Sequence, residues 1–274
     1  MFGGLARALR ERLQSTGYMM SAADGPAGKA GVVRFLAQNR RRHNDGSLVR
    51  VRMKALDGGS IAVRPRTSDM YNAASYYAYG LHLPPPEIRD LDLRLICELG
   101  SNIGAALAAL AARYPSARLV GVEPDAANLK LAKLNLEPFG DRIGLVQAGI
   151  WDHEATLIAE DAHGAGEHGL TVRELEADES SRAGGIPAIS IDTLLEREAP
   201  GEEVDYMHVT IEGAESRVFA AGGDWPARVR SLRVELHPYF DYRAEQCVPQ
   251  LEALGYRAWP APEEPGKWIY AVRG

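Results

Sequence analysis

The sequence predicts an α/β fold with a doubly wound, mainly parallel sheet. From Leu91 onward, short apolar runs of strand length alternate with segments of helical periodicity, the order that builds βαβ units. At Ile96–Ala106, one such run passes through a glycine turn into strong helix formers. The last two apolar runs, Tyr256–Trp259 and Trp268–Val272, flank a turn of Pro, Glu and Gly, which predicts an antiparallel hairpin at the sheet edge.

Bulk composition excludes several functional classes. The chain has 274 residues, of which 46% are hydrophobic, enough for one large domain or a domain with an appendage. A net charge of −6 argues against sequence-independent nucleic-acid binding. No segment reaches the roughly 18 apolar residues of a membrane span, and the first apolar stretch is too short for a signal peptide. The only cysteines, Cys97 and Cys247, cannot build a disulfide framework. We therefore expect a soluble, cytoplasmic protein without membrane or nucleic-acid partners; homo-oligomer formation stays open.

The first 86 residues predict an N-terminal cap made of a helix, a β-hairpin and a tyrosine-rich segment. Leu5–Leu13 has apolar positions at helical spacing, and a stretch rich in Gly, Ala and Ser follows. The basic run Arg40–His43 favours a solvated helix end over a phosphate or partner site. Leu48–Val63 alternates apolar and polar residues around Asp57–Gly59, which predicts a hairpin.

The tyrosine-rich segment between residues 64 and 82 has two interpretations of equal weight. Aromatic rings with polar tips suit a pocket for a hydroxylated or ring-shaped acceptor, and they equally suit the half-buried face of an amphipathic helix. Pro84–Pro86 cannot continue a helix, so we place the domain boundary there, with residues 1–86 as the cap and 87–274 as the nucleotide-binding body.

The body predicts five parallel strands and three crossover helices. The strands are expected at Leu93–Leu99, Arg118–Glu123, Ile143–Ala148, Val204–Ile211 and Leu232–His237. The helices are expected after Asn102, at Asp125–Asn135 and at Arg243–Leu254. The long polar stretch Asp152–Pro187 predicts a mobile loop over the active site. Its histidines, which are His153, His163 and His168, lack a zinc-ligand pattern, so no metal is expected.

The glycine turn predicts a nucleotide site of a particular kind. A dinucleotide fingerprint needs glycine at its third and sixth positions, where this chain has Asn102 and Ala105. Glu98, at the end of the strand, would attract an amine, and Glu123, at the end of the next strand, would hold ribose hydroxyls. This combination favours S-adenosylmethionine over an ordinary tight turn. The predicted cofactor-binding residues are Glu98, Gly100, Ser101, Asn102, Gly104, Glu123, Pro124 and Gly149.

A second group of polar residues follows two later strands. Glu212 and Glu215 flank Gly213 after one strand, and Glu235 and His237 share one face of the next, because alternate strand residues point the same way. His237 could act as a general base near neutral pH, or it could simply cap the strand end before a proline. We predict His237 and Glu212 as catalytic residues. The predicted acceptor-binding residues are Asp69, Tyr71, Tyr76, Thr210 and Glu235.

Five segments in order resemble the FkbM family of S-adenosylmethionine-dependent methyltransferases, a branch with a Rossmann-like fold. They are ELGSNIG, VEPDAANLKLAKLNL, SIDTLL, VTIEGAE and VELHP, and RPRTSD also looks like the family's upstream Arg-x-x-Thr-Ser-Asp segment. The resemblance covers roughly Ser60–Gly274. It implies methyl transfer, mainly to hydroxyls of sugars, polyketides and other secondary metabolites or glycans, without an obligatory metal.

The chain departs from that family at two positions. Where the family usually reads Lys-x-Asp-x-Glu-Gly-x-Glu, this chain has His208 in place of the lysine and Thr210 in place of the aspartate. The missing carboxylate moves the expected acceptor chemistry to Glu212 and His237. The leading interpretation is an O-methyltransferase that acts on a small-molecule or glycan acceptor. An N-methyltransferase and a cofactor-binding protein without methyl transfer stay open, and a nicotinamide oxidoreductase is weaker.

Overall fold

The computed structural model describes residues 15–40, 46–161, 170–175, 185–237 and 240–274. The predicted helix Leu5–Leu13, most of the basic run Arg40–His43, and the histidines His163 and His168 lie outside the described residues.

Helices and strands alternate along the body as the sequence predicts. The described helices are α1 (residues 15–22), α2 (Gly25–Asn39), α3 (Asp69–Tyr79), α4 (Ala105–Arg113), α5 (Ala126–Leu136), α6 (Ile191–Glu198), α7 (Glu215–Ala221) and α8 (Ala244–Ala253). The strands are β1 (Val49–Arg52), β2 (Ser60–Val63), β3 (Leu95–Leu99), β4 (Arg118–Val122), β5 (Ile143–Val146), β6 (Gly149–Ile150), β7 (Ala155–Asp161), β8 (Leu170–Glu174), β9 (Ile186–Ile189), β10 (Tyr206–Val209), β11 (Ser231–Glu235), β12 (Tyr256–Pro260) and β13 (Trp268–Arg273).

The main sheet has the order β12-β13-β11-β10-β3-β4-β5. The pairs from β11 to β5 are parallel, and β13 joins β11 and β12 antiparallel. The predicted doubly wound sheet with an antiparallel C-terminal hairpin is therefore confirmed. The ends of the five predicted parallel strands lie within two residues of the observed ends, because each apolar run is bounded by polar or turn residues.

The two faces of the sheet are covered by different parts of the chain. One buried cluster joins α4 and α5 to the N-terminal segment, through side chains such as Leu110, Leu131 and Ile61. The other cluster joins α6, α7 and α8 to the opposite face, through side chains such as Leu194 and Phe219. The N-terminal segment thus shares a core with the body, and the domain boundary at residue 86 stays a prediction.

The N-terminal segment contains the predicted hairpin, since β1 and β2 pair antiparallel with Val49 opposite Val63. It also contains α2, where the sequence suggested only a stretch rich in small residues. Gly28 explains how closely this helix packs, because a Cβ there would lie 2.5 Å from the carbonyl oxygen of Arg52. The small residue allows α2 to pack directly against β1, and this tertiary contact outweighs the low helix propensity of glycine.

A separate four-stranded sheet was not predicted. Its order is β6-β9-β7-β8, and β7 pairs antiparallel with both β8 and β9. The expectation of a mobile loop over Asp152–Pro187 is wrong for the described residues in these strands, because their backbones pair in regular antiparallel ladders. None of the helices in the described ranges is both long and apolar enough to cross a bilayer.

Candidate active site

The site is formed where β11, β10, β3 and β4 end side by side. Because these strands are parallel neighbours, the residues that follow them share one edge of the sheet. The glycine turn follows β3, Glu123 follows β4, Thr210 follows β10, and His237 follows β11. The two groups of residues predicted from the sequence are therefore adjacent in space.

The glycine turn is clamped between two strands. The backbone N–H groups of Gly100 and Ser101 both donate to the carbonyl oxygen of Val122, at 2.9 and 2.8 Å. On the other side, a Cβ at Gly100 would lie only 2.0 Å from the carbonyl oxygen of Thr210, and Gly100 has φ +92°. Only glycine fits both the backbone conformation and the close approach. Gly104, also at positive φ, is the residue before α4.

Glu123 organises the turn as well as facing the site. Its Oε2 accepts a hydrogen bond from the backbone N–H of Asn102 at 2.8 Å, and its Oε1 accepts from the N–H of Asp125 at 2.9 Å and from Asn128 Nδ2 at 3.3 Å. Burial raises the pKa of Glu123, while these three hydrogen bonds oppose the rise. Pro124 continues this segment, half-buried, and Gly149 lies buried on β6.

The turn offers an unsatisfied group that suits a polar ligand. The Ser101 hydroxyl is buried and has no hydrogen-bond partner among the described residues. A buried hydroxyl without a partner costs roughly 1–3 kcal/mol, which a bound ligand can recover by hydrogen bonding. Together with the Glu123 carboxylate, which sits where ribose hydroxyls are held in such folds, it fits an amino-acid-bearing nucleoside.

Glu98 differs from the expectation of a carboxylate at the strand end that would attract an amine. It lies inside β3, is 1% exposed, and its Oε1 is 3.2 Å from Nδ1 of His208 on β10. Burial raises the pKa of Glu98 well above its usual range. Burial, followed by the charge of Arg233, lowers the pKa of His208 well below its usual range. The two directions agree, so we describe a neutral pair in which the protonated Glu98 donates to the imidazole. The role of Glu98 in cofactor binding stays a prediction.

A fully buried cation beside this pair was missed by the sequence interpretation. Arg233 lies next to His208 in the parallel register, with its guanidinium carbon 4.8 Å from the Trp268 ring centre and 4.9 Å from that of Tyr270. Its Nη1 donates to the carbonyl oxygens of Gly80 and Leu83 at 3.0 and 3.1 Å. Arg233 thereby fixes the segment that follows α3 to the catalytic sheet. A single arginine within the apolar run of β11 was the available signal.

His237 lies between two carboxylates. Its Nδ1 donates to Glu215 Oε1 at 3.1 Å, and its Nε2 is 3.4 Å from Glu212 Oε2. Glu215 begins α7 and is fully buried, and its carboxylate also accepts from the backbone N–H groups of Ile211 and Gly213 at 3.1 and 2.8 Å. Glu215 therefore holds both the imidazole ring and the loop that carries Glu212.

The pKa values of His237 and Glu212 are both raised, for different reasons. Burial alone would lower the pKa of His237, but the hydrogen bond and the charge of Glu215 outweigh it, and Glu235 and Glu212 add to the rise, to about 9. Loss of water on the protein side raises the pKa of Glu212 to about 7, with His237 opposing. The outer side of Glu212 stays in solvent, with 57% of the side chain exposed. The histidine is consequently cationic at neutral pH.

The residues predicted to bind the acceptor divide into two sets. Tyr76 reaches the site: its ring centre is 5.9 Å from that of His208, and the charges of Glu235 and Glu212 act on its hydroxyl. Glu235 also lies there and forms an ion pair with Lys267 at 2.8 Å. These two placements agree with the predicted role, which itself stays a prediction.

The other three predicted acceptor residues have different surroundings. Asp69 is 3% exposed and accepts three hydrogen bonds from the backbone and guanidinium of Arg64. The Thr210 hydroxyl donates to the carbonyl oxygens of Leu99 and Gly100, at 3.1 and 3.0 Å. Tyr71 is 46% exposed on α3. Asp69 and Thr210 thus brace the backbone. Within the described residues, no three His, Cys, Asp or Glu side chains converge as metal ligands.

Comparisons with known proteins give one family match. A family profile described as the Methyltransferase FkbM domain matches residues 98–258. A search of curated proteins finds no match. The O-methyltransferase from Bacillus cereus in complex with SAH is 13% identical, with 92% of this chain and 92% of that chain covered and a TM-score of 0.44. The precorrin-6y C5,15-methyltransferase from Geobacter metallireducens is 14% identical, with 72% and 88% covered and a TM-score of 0.43.

Proposed function

Because the chain belongs to the FkbM methyltransferase family and takes its methyl group from S-adenosylmethionine, we propose that it methylates a hydroxyl group of a small-molecule or glycan acceptor. One observation carries this proposal. The side chains of Glu212, Glu215 and His237 lie on the same sheet edge as the glycine turn. The imidazole nitrogens of His237 are 3.1 Å from the Glu215 carboxylate and 3.4 Å from the Glu212 carboxylate. A hydroxyl oxygen must lose its proton when it is methylated, and this group of side chains can receive it.

The protein's contribution to such a reaction is mainly positional. The cofactor supplies a methyl group already activated on a sulfonium sulfur. The chain must hold the acceptor oxygen in line with that methyl group and exclude water, and alignment of this kind supplies on the order of 7–11 kcal/mol of barrier reduction. Tyr76 offers an aromatic surface near Glu235 and Glu212, where an acceptor ring would rest. A positioned base adds about 10²–10⁴-fold in rate.

N-methylation is the second candidate, and one observation favours it. Three carboxylates, those of Glu212, Glu215 and Glu235, meet at the acceptor end, against the two cations of His237 and Lys267. A site with excess negative charge attracts an ammonium group. A neutral amine, however, attacks through its free lone pair and needs no base before the methyl group is transferred, so the imidazole–carboxylate group is better explained by a hydroxyl acceptor.

The two candidates are separated by the position of the transferred label. The full chain is incubated with methyl-labelled S-adenosylmethionine and three probes, which are methyl glucoside, a phenol and a primary alkyl amine, and the products are examined by mass spectrometry. We expect label on oxygen of the glucoside or the phenol, and a loss of that product in Glu212→Gln. Label on nitrogen alone would support the second candidate. Tight cofactor binding with no labelled product from any probe would contradict both.

A further inference from the structure

Resting on the proposed O-methylation, we infer that Glu212 takes the proton from the acceptor hydroxyl, and that His237 is a fixed cation that positions Glu212. This differs from the expectation from the sequence, in which His237 could act as the general base.

The contacts of the imidazole ring support this division. A neutral imidazole has one N–H donor and one lone pair, and the lone pair is what a general base uses. In His237 both ring nitrogens face carboxylate oxygens, Nδ1 at 3.1 Å from Glu215 and Nε2 at 3.4 Å from Glu212. Carboxylates on opposite sides of the ring stabilise its doubly protonated form. In that form neither ring nitrogen has a lone pair that could take a proton from the substrate hydroxyl.

The two carboxylates differ in their freedom to accept a proton. Glu215 is fully buried, and its oxygens are occupied by two backbone N–H groups and the imidazole. Glu212 has one oxygen against His237, while its side chain is 57% exposed. The outward side of the Glu212 carboxylate is therefore the accessible proton acceptor in this cluster.

The backbone presents Glu212 in an uncommon conformation. Glu212 has φ +51°, in the left-handed region that non-glycine residues rarely adopt, and Gly213 follows at +97°. The Glu215 carboxylate holds this loop from inside, and a Cβ at Gly213 would lie 2.4 Å from the Phe240 ring. Strain of about 1–3 kcal/mol is maintained by these contacts, as is typical of functional positions.

The other groups around the pair set their protonation. His237 is faced by Glu215 from α7, Glu235 from β11 and Glu212. Glu212 also interacts electrostatically with Lys267, in the turn before β13, and with the hydroxyl of Tyr76 from α3. The pKa of His237 is raised to about 9 and that of Glu212 to about 7. Between these two values the histidine is cationic and the carboxylate is ionised, which is the state that this reaction requires.

The step balances with these groups alone. As the acceptor oxygen forms its bond to the methyl carbon, the bond from that carbon to sulfur breaks and its electron pair stays on sulfur. The hydroxyl proton passes to Glu212, which becomes a neutral carboxylic acid and later releases the proton to solvent through its exposed side. His237 keeps both protons throughout.

The protonation of His237 is tested first, without an acceptor. The full chain is labelled with ¹⁵N-histidine, the ring signals are assigned with His237→Asn, and they are followed by NMR from pH 5 to 10. We expect His237 to be doubly protonated at pH 7 and to lose a proton around pH 9. Removing one carboxylate, in Glu212→Gln, should lower that midpoint. A singly protonated His237 ring at pH 7 would overturn the inference.

The base is then identified from the pH dependence of kcat on whichever probe is O-methylated. We expect a fall in wild-type rate below about pH 7, and Glu212→Gln should lose about 10²–10⁴-fold in kcat together with this acidic limb. His237→Gln should keep the limb but move it to higher pH, because the cation that lowers the Glu212 pKa is gone. If the acidic limb of the profile survives in Glu212→Gln and vanishes in His237→Gln, the inference that Glu212 is the base is refuted.

A matched control removes the same charge elsewhere. Glu264 is exposed, close enough to act electrostatically on Lys267 and Tyr79, and outside the carboxylate–imidazole group, so Glu264→Gln should leave the limb and kcat unchanged. Failure of the proposed function is distinct from failure of the inference. The first gives no product labelled on oxygen, whatever the NMR shows, whereas the second gives such a product with a histidine-dependent profile.

Discussion

Replacing Gly100 with alanine tests whether the close contact between the glycine turn and Thr210, at the end of β10, is needed for stability and for cofactor binding. The added Cβ would lie 2.0 Å from the Thr210 carbonyl oxygen and 2.8 Å from Thr210 Oγ1. Backbone cannot move aside as a flexible side chain can, so β10 and the turn must separate by at least about 1 Å to reach even a tight contact. That movement breaks the bonds from Thr210 N to Leu99 O and from Thr210 Oγ1 to Gly100 O, at 2.8 and 3.0 Å.

The expected cost follows from these parts. Alanine at φ +92° costs about 1–2 kcal/mol relative to glycine. The two hydrogen bonds contribute about 0.5–1.5 kcal/mol each. The variant should therefore lose about 2–5 kcal/mol in the free energy of unfolding, measured by urea denaturation. Affinity for S-adenosylmethionine, measured by calorimetry, should fall in parallel because the turn itself is displaced.

Gly201→Ala is the matched control. Gly201 also has positive φ, at +71°, but a Cβ there meets no atom within 4 Å. It should lose only the conformational part, about 1–2 kcal/mol, with cofactor affinity unchanged. If Gly100→Ala and Gly201→Ala lose the same free energy, the close approach of the turn to Thr210 is not a constraint in the protein, and the reasoning fails.

Three further predictions concern buried charges. Glu123→Gln keeps the shape and removes the charge, so S-adenosylmethionine should bind about 1–3 kcal/mol more weakly in calorimetry, and unchanged affinity would remove Glu123 from the cofactor site. His237 has a folded pKa of about 9 against about 6.5 unfolded, so its stabilisation is complete below pH 6.5 and lost as pH rises through 9. The gap in Tm between wild type and His237→Asn should therefore shrink from pH 6 to pH 10, and a constant gap would contradict it. Arg233→Met leaves the carbonyl oxygens of Gly80 and Leu83 without their buried donor. The free energy of unfolding, measured by urea denaturation, should therefore fall by about 1–3 kcal/mol. An unchanged denaturation midpoint would contradict this prediction.

The sequence predicts the catalytic sheet well because its signals are local. An apolar run, a glycine turn and a helix former such as Ala105 follow one another within a few residues, and parallel strands place their ends on one edge. The placement of Glu123 and His237 on the same edge of the sheet followed from that rule alone. The family resemblance was confirmed by the match over residues 98–258.

The parts that were missed depend on contacts distant in sequence. Gly28 reads as a helix breaker until β1 is seen against it, 2.5 Å away at Arg52. Arg233 reads as an exposed residue of a half-buried strand until the α3 segment covers it. The direction of the His237 pKa depends on Glu215, which the sequence interpretation placed only beside Gly213 in the chain. Local pattern cannot show whether two such groups touch.

The two departures of β10 from the family pattern compensate each other in charge. A lysine and an aspartate two residues apart would place one positive and one negative charge on this buried strand, whereas His208 and Thr210 place none there, since burial and Arg233 keep the imidazole neutral. The net charge that these two positions contribute is the same, and neither of them adds a buried ion. The Thr210 hydroxyl instead bonds the carbonyl of Gly100, so that β10 is tied to the cofactor turn. The negative charge for the acceptor then has to come from the loop beyond the strand, which is where the structure holds Glu212 at positive φ.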